Sequence, residues 1–144
     1  MAGIVYFAHS YRTEDTQIVD YFARLIEANG LLLSLDPPSD RVNTAKLERH
    51  LLHSDAMVVV LTEREPSVSP HLLYEMSLAM RLDKPLLVFV EDTLPPTIVP
   101  PRVLQYRFSR KSFPRAVREH RQALRILGEQ VGVHPPPSHR APRG

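Results

Sequence analysis

The sequence predicts an α/β protein in which five strands form one parallel sheet with helices on both faces. Three observations carry this expectation. Apolar runs too short for helices alternate with segments of helical periodicity along most of the chain. The runs are continuously apolar rather than alternating, as strands covered on both faces must be. The composition, 43% hydrophobic and 24% charged over 144 residues, suits a globular chain with a real core.

The elements follow in order. Ile4 to Ala8 is an apolar run rich in β-formers and reads as the first strand. The polar stretch His9 to Asp15 leads into a helix, with Thr13 or Asp15 as its N-cap. Ile18, Phe22, Leu25 and Ile26 share one face of that helix, and Asn29-Gly30 closes it because both residues tolerate left-handed backbone. Leu31 to Leu35 reads as a second buried strand, halted by Asp36-Pro37-Pro38. After a polar loop through Thr44, Leu47, Leu51 and Leu52 mark a short helix, and Ala56 to Leu61 a third strand.

Ser69-Pro70 is a strong helix start, with serine as cap and proline at the first helical position. Leu72, Met76, Ala79 and Met80 form the buried stripe of that helix. Pro85 to Val90 is the fourth strand. Thr93 to Pro101 holds four prolines and is expected to be irregular. Val103 to Phe108, more polar, is the fifth strand and belongs at an edge. A last helix keeps Phe113, Val117, His120, Leu124, Leu127 and Val131 on one face. Residues 1–132 thus form the domain, and the Pro-rich residues 133–144 a disordered tail or linker.

Several function classes drop out. With no cysteine, disulfides, thiolate nucleophiles and cysteine metal sites are excluded. The longest apolar runs fall far short of the roughly 20 residues a membrane helix needs, and the first residues do not read as a signal peptide. A cytoplasmic location with no membrane contact is the expectation. The net charge of +2 hides an asymmetry: residues 1–101 carry eight Lys/Arg against fourteen Asp/Glu, and residues 102–144 ten against two. The basic stripe Arg118, Arg121 and Arg125 either meets the acidic part of a second copy or is a solvated face. No motif with interleaved aromatics points to nucleic acid.

In open parallel sheets ligands bind outside the carboxyl ends of the strands. Three segments fall there: His9 to Asp15, Asp36 to Thr44, and Thr62 into the helix at Ser69. No glycine lies in the first of them, so dinucleotide fingerprints and P-loops are absent. Glu75 is the most informative residue. It lies three residues after Leu72 and four before Ala79, at the edge of the buried stripe and in the second turn of its helix. A half-buried carboxylate there can hydrogen-bond sugar hydroxyls or stabilise positive charge developing on a ribose ring; alternatively it only complements the helix dipole. His50, His53 and Asp55 lack a further spaced ligand, so no metal site is expected, and His120 reads as a satisfied core histidine.

At these residues the sequence resembles a known family. The stretch Phe7-Ala8-His9-Ser10-Tyr11-Arg12-Thr13-Glu14-Asp15 is similar to the F-x-S-Y-x-x-x-D opening of TIR (Toll/interleukin-1 receptor) domains, with one extra residue before the serine. Ser69-Pro70-His71-Leu72-Leu73-Tyr74-Glu75 is similar to their S-x-W-C-x-x-E helix, and is followed by Ala79 and by Lys84-Pro85 with the fourth strand. Asp55-Ala56-Met57-Val58-Val59-Val60-Leu61 is similar to the strand that precedes that helix, and the resemblance spans roughly residues 3–131.

The resemblance implies a flavodoxin-like five-stranded fold and, as in bacterial and plant members, cleavage of NAD+ at the nicotinamide–ribose bond. NAD+ would be substrate, with no cofactor or metal. The family's catalytic glutamate falls on Glu75. The loop after the first strand, with His9, Ser10, Tyr11 and Arg12, and the loop from Asp36 to Arg41 would flank the substrate. The family's aromatic four residues before the glutamate is replaced by His71, so that an imidazole or Tyr11 would have to supply the stacking contact. Self-association into an oligomer or filament, often driven by a sensor or effector domain, and a role in bacterial antiphage defence signalling belong to the same expectation. The alternatives are a nucleoside deoxyribosyltransferase-like enzyme, which also uses a helical glutamate before Lys-Pro, and a non-catalytic TIR assembly or adaptor domain. A phospho-receiver needs an acidic pair after the first strand and an aspartate ending the third; His9-Ser10 and Thr62 exclude it.

Overall fold

The computed structural model of the protein describes residues 3–34, 44–64 and 68–132. The stop at Asp36-Pro37-Pro38, most of the loop from Asp36 to Thr44, and the tail lie outside the described residues. Five strands, β1 (Ile4–Ala8), β2 (Leu32–Ser34), β3 (Ala56–Leu61), β4 (Leu86–Glu91) and β5 (Leu104–Phe108), form one parallel sheet in the order β2-β1-β3-β4-β5. Four α-helices accompany them among the described residues: α1 (Thr16–Ala28), α2 (Thr44–Leu52), α3 (Pro70–Arg81) and α4 (Val117–Gln130).

The pleat sorts the core into two layers. Val5 and Phe7, Val58 and Val60, and Leu87 and Phe89 face α1 and α4, where Ile18, Phe22, Leu25, Leu124 and Leu127 meet them. Tyr6 and Ala8, Val59 and Leu61, and Val88 and Val90 face α2 and α3, with Leu47, Leu51, Leu72, Met76 and Ala79. Phe22 is fully buried and stacks on Phe89 with ring centroids 4.3 Å apart, burial that contributes roughly 1.5–3 kcal/mol.

The ends of α1 and α3 follow from local chemistry. Asn29 donates its side-chain amide to the Leu25 carbonyl at 2.8 Å, and Gly30 takes φ 81° to turn the chain out of α1. Pro70 starts α3, but the Ser69 hydroxyl makes no capping bond; its carbonyl accepts the Leu72 and Leu73 N–H groups instead.

Three expectations need correction. The second strand is not a buried one: β2 lies at the sheet edge, is three residues long, and leaves Leu32 55% exposed. Leu52 turns outward and only Leu47 and Leu51 are buried, since Leu52 falls off the α2 face that meets the sheet. Met80 is half-buried, and Leu78 takes a buried place on α3 in its stead. The connection between β4 and β5 is irregular, as its four prolines predict, with a single 3-10 turn at Pro96–Ile98. Leu94, Val99 and Val103 cover that part of the sheet. No described helix is long and apolar enough to cross a membrane.

Candidate functional site

The carboxyl ends of the strands form a polar rim. Each apolar strand stops at a polar group or two: His9 and Ser10 after β1, Thr62 and Glu63 after β3, Glu91 at the end of β4, Ser109 and Arg110 after β5. This is the end at which helices begin and at which open parallel sheets bind ligands.

The loop after β1 stands on an aromatic ladder. The His9 ring lies between Phe7 and Tyr11, with centroid distances of 4.8 Å to each. His9 Nδ1 donates to the Ser10 carbonyl at 2.8 Å, since a carbonyl can only accept; its Nε2 is therefore the acceptor nitrogen of the neutral ring. Burial holds its pKa below the ordinary histidine value, against the opposing effects of the Ser10 backbone and Asp20. Tyr11 is 59% exposed at the top of the ladder.

Beyond it, the chain turns on Ser10, whose hydroxyl accepts the Arg12 N–H at 3.0 Å. Asp15 is the hub of the rim and is fully buried. Its Oδ2 accepts from Arg12 Nη2 at 3.0 Å and Nε at 3.2 Å, and from the Thr62 hydroxyl at 2.9 Å. Its Oδ1 accepts from Arg110 Nη2 at 2.8 Å. Burial alone would raise the Asp15 pKa. The hydrogen bonds from Arg110, Ser10, Thr62 and Arg12 outweigh it and hold the carboxyl below the ordinary aspartate value. The expectation that Asp15 caps the first helix with its side chain is thereby corrected: it sits at the N-cap position, but its carboxylate is taken by the arginines.

Glu91 is the second buried acid, accepting Arg110 Nε and Nη2 at 3.1 Å each and the Glu63 N–H at 2.8 Å. Arg12 Nη2 also donates to the Glu63 carbonyl at 2.7 Å. The Arg110 pKa is raised further above its already high value, chiefly by Glu91. An open hollow of about 370 Å³ lies over these groups, lined by Arg12, Glu14, Glu63, Arg64, Glu91 and Arg110.

Glu75 stands on the second turn of α3, half-buried between buried Leu72 and Met76, and engages other groups of the chain. His71, exposed, precedes it by one helical turn on the same side. Strand alternation carries His9 with Phe7 toward the α1 layer, whereas α3 belongs to the opposite layer. The rim thus brings Ser10, Arg12 and the exits of β3, β4 and β5 into one network, and gathers His71 and Glu75 separately on α3. Asp36 and Arg41 lie outside the described residues.

Sequence reasoning missed Glu91 and Arg110 as members of the rim. The available signal was position: Glu91 ends the apolar fourth strand, and Arg110 lies two residues past the carboxyl end of the fifth. Elsewhere, His53 Nδ1 bonds the Arg49 carbonyl, Asp55 accepts the Ile4 N–H at 2.7 Å, and no cluster able to hold a metal occurs among the described residues. His120 is a core histidine, as expected, but only half satisfied: Nδ1 pairs with the Tyr21 hydroxyl at 2.8 Å, while Nε2 has no hydrogen bond of good geometry.

No protein-family model matches the chain, and no curated protein matches it. Among solved structures it is similar to a conserved protein from Enterococcus faecalis, at 19% identity over 65% of this chain and 66% of that one, with a TM-score of 0.52. It is similar to a diflavin flavoprotein A3 from Nostoc sp. at 11% identity, over 92% of this chain and 94% of that one, with a TM-score of 0.55. A flavo di-iron protein mutant from Thermotoga maritima gives 14% identity over 89% of this chain and 35% of that one, with a TM-score of 0.59. The chain spans about two thirds of the Enterococcus protein and about a third of the Thermotoga one. At such identities the likeness is one of fold: the protein is a flavodoxin-like α/β protein.

Proposed function

We propose that the protein is a TIR-type domain that cleaves NAD+ at the nicotinamide–ribose bond, with Glu75 as its catalytic residue. The reading rests on the chain's own residues and their resemblance to TIR motifs rather than on the similar structures. The observation that carries it is the place of Glu75: a half-buried carboxylate in the second turn of α3, the helix that follows the carboxyl end of β3, where open parallel sheets bind ligands.

The chemistry asks little of the protein. The bond between ribose C1′ and the pyridinium nitrogen breaks with its electron pair going to nitrogen, so nicotinamide leaves neutral and no strong general acid is needed. The ribose is left as an oxocarbenium-like centre, which a nearby carboxylate stabilises and orients. Water attack gives ADP-ribose and a proton; attack by an adenine nitrogen gives a cyclic product; another nucleophile gives a conjugate. Self-association and a part in antiphage signalling complete the proposal.

Flavin binding is the reading that the names of the similar flavoproteins suggest. A flavin mononucleotide in such a fold lies at the β1/β3 switch point, and a phosphate is best held by the N-terminus of a helix there. In this chain Asp15 occupies that position with a buried carboxylate, and both neighbouring arginines are already engaged by acids. A phosphate would face an anion at its own subsite, so these residues do not fit the group.

The test is incubation of the chain with NAD+ at high protein concentration, resolving nicotinamide and the ADP-ribose isomers by chromatography. Nicotinamide release by the native chain that is lost in Glu75→Gln is the expected result. Base release from deoxynucleosides with NAD+ untouched would instead establish the transferase, and filaments inert toward both would establish the adaptor.

A further inference from the structure

We propose that Arg110, in the turn after β5, is a positioning residue of the candidate site: it clamps the loop after β1 to the end of β4 and, through Glu91, to the exit of β3. The argument is one of geometry. All three nitrogens of its guanidinium are used: Nε and Nη2 grip one carboxylate side by side, while Nη1 and Nη2 also reach the entry to α1. Nε donates to Glu91 Oε2 at 3.1 Å, Nη1 to the Glu14 carbonyl at 3.1 Å, and Nη2 to both Asp15 Oδ1 at 2.8 Å and Glu91 Oε1 at 3.1 Å. These partners belong to separate parts of the chain, the entry to α1 and the end of β4. Only a planar fork of fixed donors joins them; an ammonium is a single point. Arg110 is itself held by the Ser109–Ser112 turn, closed by the Ser112 N–H on the Ser109 carbonyl at 3.1 Å.

From the two acids the constraint passes to the rim. Through Asp15 it reaches Arg12 and the Ser10 hydroxyl, two of the loop residues proposed to face substrate. Through Glu91 it reaches the Glu63 N–H, at the start of the connection to the helix that carries Glu75. Arg12 closes the circuit on the Glu63 carbonyl. Two buried acids and two arginines balance in charge, so the cluster offers no surplus charge to an ion. Its evident effect is to fix the exits of β1, β3 and β4 relative to one another.

The substrate arm of this proposal rests on the NAD+ reading above; the positional arm does not. The full chain carrying Arg110→Lys, which keeps the charge and loses the fork, is compared with the native chain by backbone hydrogen exchange and by NAD+ cleavage. Exchange across residues 9–15 and at 63–64 is expected to quicken by about tenfold or more while Leu72 to Ala79 and β3 keep native protection. KM for NAD+ is expected to rise by about tenfold, more than kcat falls, because the displaced groups position substrate rather than react. Glu91→Gln, which releases one side of the same clamp, should give the same local pattern and carries the test if Arg110→Lys does not fold. Native exchange at 9–15 in either folded variant overturns the proposal. So does a uniform rise across the whole sheet, which would make Arg110 a general stabiliser only. If the native chain releases no nicotinamide, the NAD+ reading fails by itself, and the exchange pattern still decides the role of Arg110.

Discussion

The Thr62 hydroxyl donates to Asp15 Oδ2 at 2.9 Å, joining the exit of β3 to the loop after β1 inside the protein. Both residues are buried, so neither group has water as an alternative partner. Thr62→Val keeps the shape and removes the donor, and is expected to cost about 1–2 kcal/mol in urea denaturation. An unchanged midpoint would show that the bond contributes nothing.

The same carboxylate sets the response to acid. Because the Asp15 pKa is lower in the folded protein than in the unfolded chain, its contribution is fully present above the unfolded value near pH 4. It is lost as pH falls through the folded value, since the unfolded chain then binds the proton more readily. Urea midpoints measured from pH 5 downward should fall steeply in the native chain. Asp15→Asn, weaker at neutral pH, should show a flatter decline over the same range.

How far the fold could be read from the sequence depended on how many roles each residue carries. Ala56–Leu61 has one task, burial on both faces, and its strand is seen in the sequence and in the structure with the same ends. The helix end at Asn29-Gly30 is equally plain, because Gly30 takes the left-handed backbone that few residue types admit. The place of β2 at the sheet edge is not legible in Leu31 to Leu35, since an apolar run says nothing of the sheet position it will take. The rim was harder still. Asp15 fits both an N-cap and an ion-pair hub by local sequence, and only the approach of Arg110, 95 residues later, decides between them. The candidate glutamate on α3 was legible from its offset to Leu72 and Ala79, whereas Asp36 and Arg41 fall outside the described residues.

His120 gives a second pH dependence, of different origin. Burial lowers its pKa, outweighing Glu119 and the Arg107 backbone, so the folded protein resists its protonation. The unfolded chain takes up a proton as pH falls below about 6.5, and stability therefore rises with pH through the window beneath that value. Its environment is Tyr21, Phe22 and Phe89, with Glu119 and Arg121 on its own helix acting on this region. Tyr21→Phe deprives Nδ1 of its partner and should cost about 1–3 kcal/mol at pH 8, read from thermal or urea unfolding. No loss would mean that the pair is not formed in solution.

Two adjacent leucines test the packing of α2. Leu51 is fully buried and Leu52 is 53% exposed. Leu51→Ala should destabilise by about 2–5 kcal/mol and Leu52→Ala by no more than about 0.5 kcal/mol, in the same denaturation assay. Equal effects would contradict the orientation of this helix against Tyr6, Met57 and Leu72.

The central claim is that one carboxylate on α3 does chemistry on a ribosyl bond. It is tested most directly by the rate of nicotinamide release from NAD+ in Glu75→Gln against the native chain, both confirmed folded. A native rate that falls by at least about a hundredfold in the variant is the outcome predicted here. Equal rates in the two chains, or no release by the native chain at any concentration, would contradict it.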